Sequence, residues 1–316
     1  MRLYLLSLLT LSAAMAGSVS REVTYASAPV MGIGSVPYFE RGYLIYRHQG
    51  SRIEIHGPDG QKLFGGTLEC PQGKVQCGVS AVAADGKGMI AVGIAHASSG
   101  AEANVIRLMT AQGRETRLIK VAWFVPTRLC FDARGDLWAM GWERDADDRE
   151  IASGVDYATV RKFSAEGKEL GRYLPRSLWP GKVTSPASAA IGYWWMAAAK
   201  ESVGALAYPN HADHAPEWVE WDLEGRLIAR TPLPDIENHG FAYTADGVLY
   251  ARFQVGKSKY ELRRMERGTG RWTAVKSNLP EEELGRPGFL QGGDGEALVY
   301  RVSTGAPVLR WVKPGE

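Results

Sequence analysis

Two histidines and an aspartate stand together in His211-Ala212-Asp213-His214, and a further carboxylate follows at Glu237. Imidazole nitrogens and carboxylate oxygens suit a zinc-type ion, so His211, Asp213, His214 and Glu237 form the candidate metal set. The pattern lies in a stretch rich in Asn and Asp, without a His-Glu-x-x-His helix or a Cys-x-x-Cys pair, so a solvated loop competes with the metal reading. Asp145, Asp147 and Asp148 begin like a calcium loop, but the glycine and the closing glutamate that such a loop needs are missing. With Arg144 and Arg149 beside them, self-neutralising surface charge explains them. Cys70 and Cys77 bracket a loop-like hexapeptide and are read as a disulfide, given an oxidising compartment. Cys130 sits in the apolar run Leu129-Cys130-Phe131, where a thiol is a small hydrophobe rather than a nucleophile. No phosphate loop, nucleophile elbow or dinucleotide fingerprint stands in a supporting context.

The elements that must position these residues come from a repeat. Phe131-Asp132-Ala133-Arg134-Gly135-Asp136-Leu137-Trp138 is an apolar stub, a Gly-centred turn and a second stub. Ala245-Asp246-Gly247-Val248-Leu249-Tyr250 and Gly293-Asp294-Gly295-Glu296-Ala297-Leu298 repeat it, with weaker copies around Gly42, Gly88 and Gly192. Those six glycines are separated by 46, 47, 57, 55 and 48 residues. A second strand–turn–strand unit interleaves with the first, as in Arg52-Ile53-Glu54-Ile55 before Gly60 and Trp218-Val219-Glu220-Trp221 before Gly225. Its apolar and polar residues alternate with the period of a half-buried strand. Four short strands per repeat of this length build a β-propeller blade. The expectation is an all-β, six-bladed propeller of four-stranded antiparallel blades. Residues 22–25, a strand without a hairpin partner, pair with residues 308–312 and close the ring.

Antiparallel connectivity gathers both classes of Gly turn at one end of the blades. The other end carries the length variation, including insertions at residues 143–150 and 200–216. Functional residues of repeat folds gather where insertions accumulate. Inner-strand starts on that face offer Arg128, Ser188, Asn238, His239 and Arg286 as candidate ligand-binding residues. Trp138, Trp194, Trp195, Trp218 and Trp221 fall on predicted strands and are read as packing between blades rather than as stacking platforms.

Residues 125–138 together with Val160-Arg161-Lys162-Phe163-Ser164-Ala165-Glu166-Gly167-Lys168 resemble one NHL-type propeller repeat. The wider six-bladed group that the chain resembles includes NHL-repeat proteins, SMP-30/gluconolactonase-like enzymes and TolB-like periplasmic proteins. The resemblance implies fold, because its members differ in function. A gluconolactonase-like activity implies a Glu and Asn/Asp set around a central divalent ion, whereas the inner-strand starts here offer Ser, Thr, Arg, Asn and His, with Glu237 as the nearby acid.

The 316 residues carry a net charge of only +2 and no basic run, which argues against a nucleic-acid partner. Arg2, the apolar stretch from Leu3 to Leu11 and Ala14-Met15-Ala16 read as a signal peptide over residues 1–16, leaving a single propeller domain over 17–316. No later stretch is long and apolar enough to span a bilayer. The resulting expectation is an exported, periplasmic or secreted monomer without a cofactor. It is read as a non-catalytic propeller binding a protein partner or small ligand through its variable-loop face. Two alternatives stand beside it. One is a metal-dependent hydrolase or lyase using Glu237, Asn238, His239 and His211 or His214 at the central mouth. The other is a scaffold without its own ligand in an envelope assembly.

Overall fold

Alternating sequences such as Arg52-Ile53-Glu54-Ile55 pair as short strands, and glycine turns return each strand antiparallel to the one before. The computed structural model describes residues 19–25, 36–70, 77–96, 104–144, 156–178, 195–207, 216–233, 240–257, 259–275, 290–302 and 307–315. They form six four-stranded sheets, each a blade of consecutive antiparallel strands except the last.

Blade one holds β2 (Val36–Glu40), β3 (Tyr43–Arg47), β4 (Arg52–His56) and β5 (Lys62–Thr67). Blade two holds β6 (Cys77–Ala84), β7 (Met89–His96), β8 (Asn104–Thr110) and β9 (Glu115–Ala122). Blade three holds β10 (Phe124–Phe131), β11 (Leu137–Glu143), β12 (Ala158–Phe163) and β13 (Glu169–Pro175). Blade four holds β14 (Trp195–Ala198), β15 (Ser202–Ala207), β16 (Glu217–Asp222) and β17 (Leu227–Pro232). Blade five holds β18 (Phe241–Tyr243), β19 (Leu249–Gln254), β20 (Tyr260–Met265) and β21 (Trp272–Ala274). Blade six combines β22 (Leu290–Asp294), β23 (Ala297–Arg301) and β24 (Val308–Val312) with β1 (Val19–Thr24) as its outer strand. Glu22 lies opposite Arg310 and Thr24 opposite Val308, so the N-terminal strand closes the ring as expected.

The turns share a device. Asp132 accepts the backbone N–H groups of Arg134 and Asp136 at 2.9 and 3.0 Å, and Gly135 takes the positive φ of 89° that the turn requires. Asp85, Asp222 and Ser164 hold their own turns with the same pair of bonds, to the residues two and four ahead. Short acceptors placed before a glycine therefore fix hairpin register at the tight end. Blade four departs from the pattern. Its first turn lies at residues 199–201, closed by Ala199 N–H to the Ser202 carbonyl at 2.8 Å, and not at Gly192, which lies outside the described residues. Residues 202–207 are strand β15 rather than part of an insertion. The run Ala-Ala-Ala-Lys-Glu-Ser-Val-Gly-Ala conceals this, because small residues pack a strand without showing alternation.

Large apolar side chains fill the seams between blades. Six buried clusters among the described residues each join two neighbours: Ile55 with Val92, Ile106 with Phe131, Trp138 with Trp221, Trp218 with Phe253, Tyr250 with Tyr300, and Trp311 with Phe39. The Cys70–Cys77 disulfide ties the end of blade one to the first strand of blade two, with Cα atoms 5.7 Å apart. Replacing both cysteines by serine is expected to cost about 2–3 kcal/mol, the chain-entropy value for so short a loop. Urea midpoints check this, and an unchanged midpoint would refute it.

Candidate functional site

The six inner strands β2, β6, β10, β14, β18 and β22 surround the axis, each entering from the variable-loop end. Three of them carry a bulge at the same level. Pairing shifts between Val79 and Ala81 in β6, between Pro126 and Arg128 in β10, and between Leu290 and Gly292 in β22. The extra residues are Ser80, Thr127 and Gln291. In β10 the cause is legible, since Pro126 has no N–H for the ladder. A bulge frees peptide groups and re-aims side chains, which suits it to the rim of a site.

Here the freed carbonyls hold guanidinium groups. Arg47, the last residue of β3, donates from Nη1 to the Ser80 carbonyl and, at 3.5 Å, to that of Val79. Arg128 donates from Nη1 to the Thr127 carbonyl at 2.6 Å. Thr127 turns its own hydroxyl to the Met140 carbonyl at 3.2 Å, repairing the ladder that the bulge interrupts.

Both arginines line a cavity of about 250 Å³ at the axial mouth. Its cationic wall is Tyr38, Arg47, Thr127 and Arg128, from blades one and three, and Trp195, Phe241, Leu290 and Gln291 from blades four to six form the facing wall. Trp195 is held by aromatic neighbours, its ring 5.7 Å from that of Trp218 and 5.8 Å from that of Phe241. The described lining of the mouth contains no carboxylate. Burial pushes the Arg128 guanidinium down to about 10, and the neighbouring charge of Arg47 pushes the same way. Burial also lowers Arg47. Both remain charged at neutral pH, facing one space with the same sign.

Deeper along the axis a smaller void of about 30 Å³ is lined by Glu40, Arg41, Trp195, Tyr243 and the backbone of β22. Glu40 is the one acid among the described residues lining either space. It accepts the Ala84 N–H at 2.8 Å, while Arg41 donates to the carbonyls of Phe131 at 2.7 Å and Asp85 at 3.3 Å.

No protein-family model matches the chain, and no curated protein matches it. Many solved structures are similar to it in fold, and two of them serve as examples. One is a gluconolactonase from Xanthomonas campestris, 16% identical with a TM-score of 0.49, covering 96% of this chain and 91% of that one. The other is TolB from Acinetobacter baumannii, 12% identical with a TM-score of 0.42, covering 87% of this chain and 65% of that one. The likeness is one of fold.

Of the residues singled out from sequence, Arg128 stands at the mouth. Ser188, Asn238, His239, Arg286, His211, Asp213, His214 and Glu237 lie outside the described residues, as do Asp145, Asp147, Asp148 and Trp194. Among the described residues no group of three or more His, Cys, Asp or Glu side chains could hold a metal ion. The described mouth itself does not fit one, because two guanidiniums repel a divalent cation and hard cations require several oxygen ligands. Cys130 is fully buried, and burial raises its thiol well above the ordinary range, so it holds its proton as a packing residue. Trp138, Trp218 and Trp221 are buried in seams as expected, whereas Trp195 is half-buried and faces the mouth.

Sequence reasoning missed Arg47, Tyr38 and Glu40. The signal for Arg47 lies in the pairing of β3 with β2, which sets Arg47 opposite Val36 at the open end. Burial pushes the Glu40 carboxyl up to about 8, a rise that the Arg41 charge and the Ala84 N–H only partly offset. A raised carboxyl keeps its proton in the folded state after the unfolded chain has released its own. Glu40 therefore lowers stability progressively as pH rises from its ordinary value of 4.5 through about 8. Glu40→Gln is expected to raise the melting temperature relative to the parent increasingly across that window. A difference that stays constant with pH would overturn the assignment.

Proposed function

We propose that the protein is an exported, non-catalytic propeller, a monomer over residues 17–316 after removal of the signal peptide, that binds a small ligand at the axial mouth of its variable-loop face. The observation that carries this reading is the cavity of about 250 Å³, with a polar wall from blades one and three facing an aromatic wall from blades four to six. Concave sites with apolar walls and a few convergent polar groups are where small molecules bind. The described lining pairs no nucleophile with a base, which favours binding over turnover. The Cys70–Cys77 bond suits an oxidising compartment and so supports export. No helix among the described residues is long and apolar enough to cross a membrane.

A thermal-shift screen of small-molecule fragments, run with the parent and with Gln291→Trp, tests the reading. Gln291 lines the mouth, and an indole there occupies the cavity. Compounds that stabilise the parent and leave Gln291→Trp unmoved are the expected result. Chelator is expected to leave the melting temperature unchanged. Hits that shift both proteins equally, or a fall of several degrees with chelator, would replace this reading with one sited elsewhere or built on a metal.

A further inference from the structure

Charged groups removed from water are ordinarily paired, because an isolated buried charge is costly. Arg47 and Arg128 lie part-way into that condition together, with donors still open to the cavity. Each is half-buried, and each spends Nη1 on bulge carbonyls. A guanidinium has five N–H donors in a planar fork. Among the described residues, Nε and Nη2 of both arginines make no further hydrogen bond, and neither arginine pairs with a carboxylate. Neutral carbonyls orient these side chains without cancelling their charge, and the cavity receives the unsatisfied donors. Bidentate recognition of carboxylate or phosphate is what such forks do best.

The opposite wall is different in kind. Trp195 and Phe241 present ring surface, and Leu290 adds an aliphatic face. A volume of about 250 Å³ holds on the order of eight waters at ~30 Å³ each, room for one ring and one anionic group.

We infer that the mouth takes a small organic oxyanion, a carboxylate or phosphate carried on a planar apolar body, with Arg47 and Arg128 holding the anion and Trp195 and Phe241 covering the body. This rests on the reading of the mouth as a binding site and adds the chemical class of its ligand. Two like charges held together cost stability in the empty protein, and an oxyanion relieves that cost when it binds.

Isothermal titration with benzoate, phenyl phosphate and the neutral benzamide tests it. At least one of the two anions is expected to bind the parent at least about tenfold more tightly than benzamide. The tighter of the two identifies the anion. Arg128→Gln and Arg47→Gln are each expected to weaken that anion at least about tenfold and to leave benzamide unchanged. Both variants are expected to melt at or above the parent, since each removes one of two repelling charges. Arginines with a purely structural role would give a lower melting temperature and unchanged selectivity. Benzamide binding as tightly as both anions, with all three lost in Gln291→Trp, would overturn the oxyanion class while leaving the mouth as a binding site. Absence of binding by both anions would overturn the class as well, and the fragment screen then decides the site alone.

Discussion

Tyr25→Ala is expected to destabilise the protein by about 3–5 kcal/mol, the range for removing a large aromatic side chain from a packed interior. The size of the effect follows from how the ring is closed. β1 is the outer strand of blade six, and most of its residues are exposed, with only Val23 half-buried. Tyr25, immediately after it, is completely buried. Its ring enters the seam between blades six and one, among Phe39, Leu44, Tyr46 and Trp311, and its edge approaches His56 at a centroid distance of 6.1 Å. Its N–H donates to the Pro307 carbonyl at 2.9 Å and its hydroxyl to the Gly42 carbonyl at 3.3 Å. A single side chain therefore carries most of the apolar burial that fastens the closing strand. The surface contacts of β1, Arg21 over the Trp311 ring at 4.6 Å and the Glu22–Arg310 ion pair, are of the kind that add roughly 1 kcal/mol or less each. Tyr25→Phe separates the two contributions and is expected to cost only about 0.5–1.5 kcal/mol, one neutral hydrogen bond. Urea unfolding of the parent and both variants provides the comparison. A loss below about 1 kcal/mol in Tyr25→Ala would mean that the ring closes without this anchor.

The same strand shows what the sequence could reveal. A β-type segment without a hairpin partner at residues 22–25 and an incomplete last repeat at residues 308–312 imply each other, and they pair. Fold was legible because it is written in local features that recur: an Asp or Ser before a glycine turn, and alternation across short strands. Where the local feature lapsed, the reading slipped. Gly192 has the look of a turn glycine, yet the turn of blade four falls at residues 199–201, on Ala, Lys and Glu. The site was less legible for a physical reason. A residue faces the axial mouth through the register of two strands and the bulges of a third, none of which leaves a mark in the residue's own neighbourhood. Arg128 could be found, since it follows Pro126 by two residues on an inner strand, although it lies mid-way along β10 and not at the strand start that the sequence suggested. Arg47 could not, because it follows Tyr43-Leu44-Ile45-Tyr46 and reads as an ordinary polar residue at a strand end. Trp195 differs from Trp138 and Trp218 in the same way. All three lie on predicted strands, but β14 is an innermost strand with one side toward the axis.

Asp132→Ala is expected to cost about 3 kcal/mol, the lower end of the range for stripping a buried charge of its partner. Asp132 is 1% exposed and serves four donors. One carboxylate oxygen holds the turn through the N–H groups of Arg134 and Asp136; the other accepts the Trp138 indole N–H at 3.0 Å and lies 3.4 Å from the Lys162 ammonium. Lys162 is itself buried, and it reaches across the seam to donate to the Leu223 carbonyl of blade four at 2.6 Å. Trp138 continues the link, its ring 5.2 Å from that of Tyr173 and 6.0 Å from that of Trp221. One carboxylate thus sets a hairpin turn, orients a seam tryptophan and neutralises a buried cation. Asp136, 2.8 Å from Lys162, remains as a second counter-charge in the variant, which keeps the cost from reaching the top of the range. Asp132→Asn preserves acceptor geometry on one oxygen and is expected to cost less than the alanine. Combining Asp132→Asn with Lys162→Met should recover part of that loss, because it removes the stranded charge together with its partner. Denaturant midpoints of these three variants and of Lys162→Met alone decide the matter. If the double variant is as destabilised as the sum of its single changes, the carboxylate acts on the turn alone and the charge pair contributes nothing across the seam.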